Sequence, residues 1–354
     1  MPRFRELDGL RGVAAGTVLL SHFTGAHNSR YPEDPLPLFD AWWGAFGVQL
    51  FFLISGFVIL MTAQASARPS DFVASRLSRL YPAYWVSLAI GVLVAWIANV
   101  PHVPLEPNVV LANLTMVQRW FLVPNVLDIY WTLAVEMQFY VLLFLLLLAT
   151  RCRITDKLVI QVATIWLIIS LSVAIWAFPA SHGIDPQHVA TPVKLVLNAT
   201  LAAYGPLFCA GMLAFISRRN GRLHVLAIPA AAIAVLNTGL LQTWIDAAWI
   251  AGICACFLVV AMREHTKLLL IPPLQWLGKI SYSLYLTHSI IGYAIIHLLW
   301  PYLGRPGAVI VAIVAALAVG WAVHQLAEHR ISRWLRNMLT KVSDRRRKKV
   351  APPS

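Results

Sequence analysis

Charge is what this 354-residue chain has least of. Asp, Glu, Lys and Arg make up only 12% of it, against 59% apolar residues. That leaves too little polar surface to cover a soluble fold of this length. The mean hydropathy of +0.70 points the same way: the composition is that of a polytopic membrane protein. Acids are scarcer than bases, 15 against 28, for a formal net charge of +13. In a soluble chain that excess would suggest nucleic acid. Here the bases stand in short segments between apolar runs, as orientation signals do, so nucleic acid is excluded as a partner. Cysteine is also rare, with Cys152, Cys209, Cys254 and Cys256 all in or beside apolar runs. These are read as reduced packing residues rather than a disulfide framework. The Cys254-x-Cys256 spacing is wrong for zinc and has no histidine pair nearby, so no metal is expected. A cleavable leader is excluded too, because Glu6 and Asp8 interrupt the basic n-region that one would need. Repeats, low-complexity linkers and a soluble domain are likewise absent from the pattern.

What is present is a series of apolar runs. The first extends from Arg11 through His22. Others follow at about 44–62, 82–99, 131–148, 158–178, 193–216, 223–242, 247–262, 280–300 and 308–326. The expected architecture is an all-α integral membrane bundle of about ten transmembrane helices. Only Arg30, Arg119, Lys194 and Arg305 fall outside or at the outer edge on this assignment, leaving 24 of the 28 bases inside. Such an asymmetry predicts that both termini are cytoplasmic. Residues 1–340 are expected to form the membrane domain, and 341–354 a basic tail anchored to anionic lipid through Arg345–Lys349. Phe72, Val73, Leu77 and Leu80 alternate with Arg76 and Arg79, which predicts a short amphipathic helix on the membrane surface. Pro82 would then set the entry to the third span.

Against the apolar background four polar groups stand out. Asp8 and Arg11 are three residues apart on one helical face. His22 lies about 16 Å further on at 1.5 Å per residue, past the middle of a hydrocarbon core roughly 30 Å thick. Arg76-x-x-Arg79 puts two guanidinium groups on one face, which suits a diphosphate or a ribose phosphate as well as it suits plain anchoring. Glu136 is an acid inside a span with no basic neighbour in sequence. The run Ser281-Tyr282-Ser283-Leu284-Tyr285-Leu286-Thr287-His288 buries a second histidine about 12 Å inside its span. A lone buried histidine is more often a hydrogen-bonded core residue. Two histidines and a glutamate in one bundle point instead to a site.

These residues resemble a known family. Arg11-Gly12 through His22, with ten residues between the arginine and the histidine, is similar to the signature of acyltransferase family 3, the membrane O-acyltransferases that include bacterial glycan O-acetyltransferases. Glu6-Leu7-Asp8-Gly9-Leu10 fits the same motif. Further matches are Phe51-Phe52-Leu53-Ile54-Ser55-Gly56-Phe57, Arg76-x-x-Arg79 before Tyr81-Pro82, Trp131-x-Leu133-x-Val135-Glu136, and Ser281 through His288. They occur in the family's order along nearly the whole chain. One departure is Glu328-His329-Arg330-Ile331, which lacks the proline that often follows the glutamate. The fused extracytoplasmic hydrolase-like domain of some members has no counterpart, so a stand-alone transferase of the bacterial cytoplasmic membrane is expected.

The resemblance implies transfer of an acyl group, acetyl above all, from cytoplasmic acyl-CoA to a hydroxyl of a glycan, a lipid-linked saccharide or a secreted product. His22 and Glu136 are the expected catalytic residues. Arg11, Arg76 and Arg79 would hold the donor, and Asp8, Trp131, Tyr285 and His288 would line the acceptor side. His22 could act as general base or carry the acyl group itself. A second function class, a secondary transporter with an intramembrane His/Glu site, shares the residue types. The acceptor, the acyl length and any homo-oligomer stay open at this stage.

Overall fold

The computed structural model describes residues 4–184, 188–263, 266–335 and 338. The expected basic tail, 341–354, lies outside them. The described chain is helical, with no strand. In order the helices are α1 (Arg5–Ser21), α2 (His27–Arg30), α3 (Gly47–Gln64), α4 (Pro69–Ile97), α5 (Pro107–Asn113), α6 (Trp131–Ala149), α7 (Asp156–Ser181), α8 (Thr191–Thr200), α9 (Gly205–Asn220), α10 (Ala227–Leu241), α11 (Trp244–Met262) and α12 (Pro272–Val323). Among the described residues, seven helical stretches are long and apolar enough to cross a membrane. One of them, Pro272–Leu335, is broken at Gly304. The 17-residue α1 and the 15-residue α10 fall below that length, and the ten runs read from the sequence count both and divide α12 in two.

The helices gather in two compact units. One holds Phe46–Ala65 and Arg153–Gly278 together with the N-terminal stretch up to Ala14. The other holds Ala15–Ala45, Ser66–Cys152 and the stretch from Lys279 onward. In the first unit α3 and α9 pack backbone against backbone. A Cβ at Gly56 would collide with the Phe208 carbonyl, and one at Gly211 with the Leu53 carbonyl. Close approach of this kind replaces the hydrophobic drive that lipid does not supply between helices. Gly211→Leu should therefore cost more than about 3 kcal/mol of stability, since the obstacle is main chain and cannot change rotamer. Thermal unfolding in detergent measures this, and an unchanged midpoint would show that the two helices have room to part.

Two departures from the sequence reading matter. The run at 193–216 is not one helix, because the backbone unwinds from Leu201 to Tyr204, with Leu201 in the left-handed region at φ 52°. Unwinding inside a membrane demands new partners for the freed carbonyls. Trp166 Nε1 donates to the Thr200 carbonyl at 2.9 Å, Ser170 Oγ to that of Ala202 at 2.8 Å, and Asn237 Nδ2 to the same oxygen at 2.7 Å. The break is thus stapled by protein donors. The second departure concerns α4, which runs unbroken through Pro82 rather than ending as a separate surface helix. Proline's fixed φ is already helical, so its costs are one missing N–H and a crowded carbonyl. Nearby, Tyr282 donates its hydroxyl to the Leu80 carbonyl at 2.9 Å. Arg76 is buried in the fold, only 7% exposed, rather than on an exposed face of the helix.

Candidate active site

Seven of the nine residues singled out from the sequence lie in the second unit: His22, Arg76, Arg79, Trp131, Glu136, Tyr285 and His288. Asp8 and Arg11 belong to the first unit, where they pair with each other across one turn of α1 at 3.6 Å.

Helix α1 ends at Ser21 and passes into a π-helical turn, His22–Ala26. Single π-turns of this kind are frequent at functional sites. The His22 ring meets the His288 ring edge to face, with centroids 4.8 Å apart and planes at 88°. Phe23, next to His22, packs on Gly292, one turn beyond His288, where a Cβ would strike its ring. Both imidazoles are anchored through Nδ1 to a backbone carbonyl about one turn back. Nδ1 of His22 bonds the Val18 carbonyl at 2.9 Å, and Nδ1 of His288 bonds that of Tyr285 at 2.8 Å. A carbonyl only accepts, so in each ring Nδ1 carries the proton and Nε2 keeps a lone pair. His288 is 1% exposed, and its Nε2 has no hydrogen-bond partner among the described residues. His22 is half-buried, which leaves its basic nitrogen reachable.

Helix α6 presents Thr132, Glu136 and Tyr140 at i, i+4 and i+8, one above the other on a single face. Thr132 Oγ donates to the Ile129 carbonyl at 2.9 Å, spending its only proton. The Tyr285 hydroxyl lies 3.0 Å from Thr132 Oγ1 and donates to the Ile129 carbonyl at 3.4 Å, which binds it to the head of α6. Because Tyr285 also packs on His288 with centroids 5.8 Å apart, α6 steadies the histidine pair through this bond. Glu136 accepts from the Tyr140 hydroxyl at 2.6 Å. The Arg76 guanidinium lies against that same phenol, in the field of both Glu136 and Arg79. A phenol thus bridges a carboxylate and a guanidinium, and Arg79 stands one turn along α4 from Arg76. Tyr282 on α12 faces the charges of Glu136 and Glu328. From Tyr282 to His288 the helix rises about 9 Å. Trp131, at the head of α6, has the Arg119 guanidinium over its ring at 6.0 Å.

Sequence reading passed over several of these partners. Tyr140 and Thr132 carry a detectable signal, the four-residue spacing around Glu136. Glu328, which accepts from Ser283 Oγ at 2.5 Å and lies 3.2 Å from His324 Nδ1, could be placed only by the fold, because its partner is 45 residues away. Tyr293, with its ring 6.2 Å from that of His22 and beneath the Arg30 guanidinium at 5.7 Å, carries no motif at all.

The chain is similar to several known proteins. Nodulation protein 10 of Rhizobium leguminosarum bv. viciae is 26% identical over 361 residues, covering 90% of this chain and 91% of that protein. The O-acetyltransferase OatA of Staphylococcus aureus is 26% identical over 321 residues, 81% of this chain and 50% of its own length. The exopolysaccharide production protein ExoZ of Rhizobium meliloti is 39% identical over 108 residues, 27% of this chain and 32% of its own. The chain therefore spans only half the length of the O-acetyltransferase relative it matches. No solved structure matches it. The family profile described as the acyltransferase domain, acyltransferase 3, matches residues 4–325, and the chain is a member of that acyltransferase family.

Proposed function

We propose that this protein is a membrane O-acyltransferase of the bacterial cytoplasmic membrane. It moves an acetyl group from cytoplasmic acetyl-CoA to a hydroxyl of a cell-surface or secreted glycan, and both its termini lie inside. The observation that carries this is the pair of Nδ1-anchored histidines, which turns two imidazoles into bases with the lone pair on a known nitrogen. The relatives' names support the chemistry and the acceptor class, since one is called an O-acetyltransferase and another an exopolysaccharide production protein. The 24-to-4 distribution of bases supports the orientation.

In this reading Nε2 of His22 takes the proton of the acceptor hydroxyl as its oxygen forms a bond to the thioester carbonyl carbon. The C–S bond then breaks, and the same nitrogen returns the proton to the leaving sulfur. His288 and Tyr285 hold His22 and the acceptor in register. Arg79 and Arg76, toward the other end of the Tyr282–His288 stripe, meet the donor's phosphates. Arg11, in its pair with Asp8, is assigned to the donor as well, Trp131 to the acceptor side, and the acceptor is a saccharide, lipid-linked or free.

Arg79 and Arg76 separate in a kinetic test. A charge-assisted contact is worth about 1.5–3 kcal/mol, so Arg79→Ala should raise the KM for acetyl-CoA about 10- to 100-fold at nearly parental kcat, the signature of lost uniform binding. Arg76→Ala also strips Tyr140 and Glu136 of their cation, so kcat should fall with it. Thiol release from acetyl-CoA, followed at varied donor concentration, reads both. An unaltered donor KM in Arg79→Ala would make that arginine a topology anchor only.

A further inference from the structure

The π-turn that begins at His22 needs something to hold it. In an α-helix the His27 N–H would go to the Phe23 carbonyl. Here it is directed to the carbonyls of His22 and Gly25, so Phe23 loses its ordinary donor. The replacement comes from the other end of the unit. Gly304, at φ 65°, breaks α12 in a conformation open to glycine, and the next residue, Arg305, turns inward. Its side chain is buried, with the residue 6% exposed. Nη2 donates to the Phe23 carbonyl at 3.1 Å and to Asn28 Oδ1 at 3.3 Å.

Asn28 continues the chain of bonds by donating Nδ2 to the Asp34 carbonyl at 2.9 Å. The Asp34 carboxylate is buried and fully engaged. It accepts from His27 Nε2 at 2.8 Å, His297 Nδ1 at 3.0 Å and Trp300 Nε1 at 2.9 Å. Tyr31 stacks on His297 with centroids 4.0 Å apart, and burial pushes its phenol up to about 12, so it stays a neutral packing surface. The groups around Arg305 are therefore tied to α12, and Arg305 hydrogen-bonds the backbone of the π-turn to that frame.

The turn matters because of where it aims two rings. Both rings of the turn meet His288 on α12, with centroids 4.8 Å away for His22 and 6.3 Å for Phe23. We propose that Arg305 is a positioning residue for His22: from the break at Gly304 it fastens the His22–Ala26 turn through the Phe23 carbonyl and Asn28, and so fixes the direction of the His22 ring. Both bonds leave Nη2, at the far tip of the guanidinium, and lysine's ammonium ends one bond short of that position on a more flexible stem, so lysine is not an equivalent.

This inference rests on the catalytic reading of His22, and its test keeps the two apart. The assay is thiol release from acetyl-CoA by membrane vesicles holding the full chain, with thermal unfolding of the same preparations. A misplacement of about 1 Å costs on the order of 100-fold in rate, so Arg305→Lys should lose about that much in kcat while the KM for acetyl-CoA stays within about 3-fold. Asn28→Ala removes one acceptor and leaves the cation in place. It should lose about 10-fold in kcat at the parental KM, and it decides the matter should Arg305→Lys not fold. A folded Arg305→Lys at parental kcat overturns the proposal, and so do kcat, KM and unfolding midpoint falling together, which is what general loosening produces. His22→Gln runs alongside: if it keeps parental turnover, the catalytic reading and this inference fall together. If it is silent while Arg305→Lys is fully active, the inference alone is lost.

Discussion

His22→Gln should lower acyl transfer by about 10²–10⁴-fold, the usual value of a general base, in a protein that inserts and folds as before. Glutamine suits this test because its amide N–H can still donate to the Val18 carbonyl, the anchor seen at 2.9 Å. What it cannot supply is a basic lone pair where Nε2 stood. The ring's packing against His288 is lost as well, so the His288→Gln variant serves as the comparison. If His288 only positions, its loss should cost less than that of His22 and leave the donor KM alone. The bland alternative treats His22 as a helix-packing residue whose Nδ1 bond is its whole purpose, and it predicts nearly parental transfer for His22→Gln. Turnover of acetyl-CoA and ester content of the surface glycan, measured together, decide between them. Transfer within a few-fold of the parent would remove His22 from the mechanism.

Glu136→Gln is the second large effect expected. The substitution keeps an acceptor for the Tyr140 hydroxyl, now 2.6 Å from Oε1, and preserves side-chain volume on α6. It removes the negative charge that the Arg76 guanidinium faces through that phenol. Arg76 is almost fully buried, and a buried cation deprived of its counter-charge is costly. The guanidinium should then relax away from Tyr140 and carry the donor-side geometry with it. Transfer is expected to fall at least about 100-fold, a loss typical of geometric misplacement, while expression and membrane insertion persist. Tyr140→Phe separates bridge from charge: it keeps the carboxylate and removes only the connecting hydroxyl, so it should cost less than Glu136→Gln. Full activity in Glu136→Gln would reduce Glu136 to a structural partner of Tyr140.

How far the site could be read beforehand depends on the range of each interaction. His22 and His288 declare themselves because an imidazole inside an apolar run has a desolvation cost that sequence alone reveals. Their pairing does not, since 266 positions separate them and only the packing of the fold brings their rings to 4.8 Å. Arg76 stood out in the sequence as one of a pair of cations on an exposed interfacial face. Alternating apolar and basic residues serve equally well a buried helix face whose arginine meets a phenol and a carboxylate from α6. The run at 193–216 looked continuous because hydropathy does not register a backbone break. What permits the break is Ser170 and Asn237, on helices remote in sequence.

Composition and local pattern by themselves determined that this protein is an all-helical membrane chain, where its apolar runs fall, and which few ionisable residues lie inside them. Those properties follow from transfer free energies and helical spacing, which each residue carries wherever it goes. The tertiary structure alone decided which nitrogen of each histidine is free, that Tyr140 joins Glu136 to Arg76, and that a π-turn held by Arg305 aims His22 at His288. These depend on directional bonds between residues far apart in sequence, and a hydrogen bond has no definite partner until packing has brought one within 3 Å.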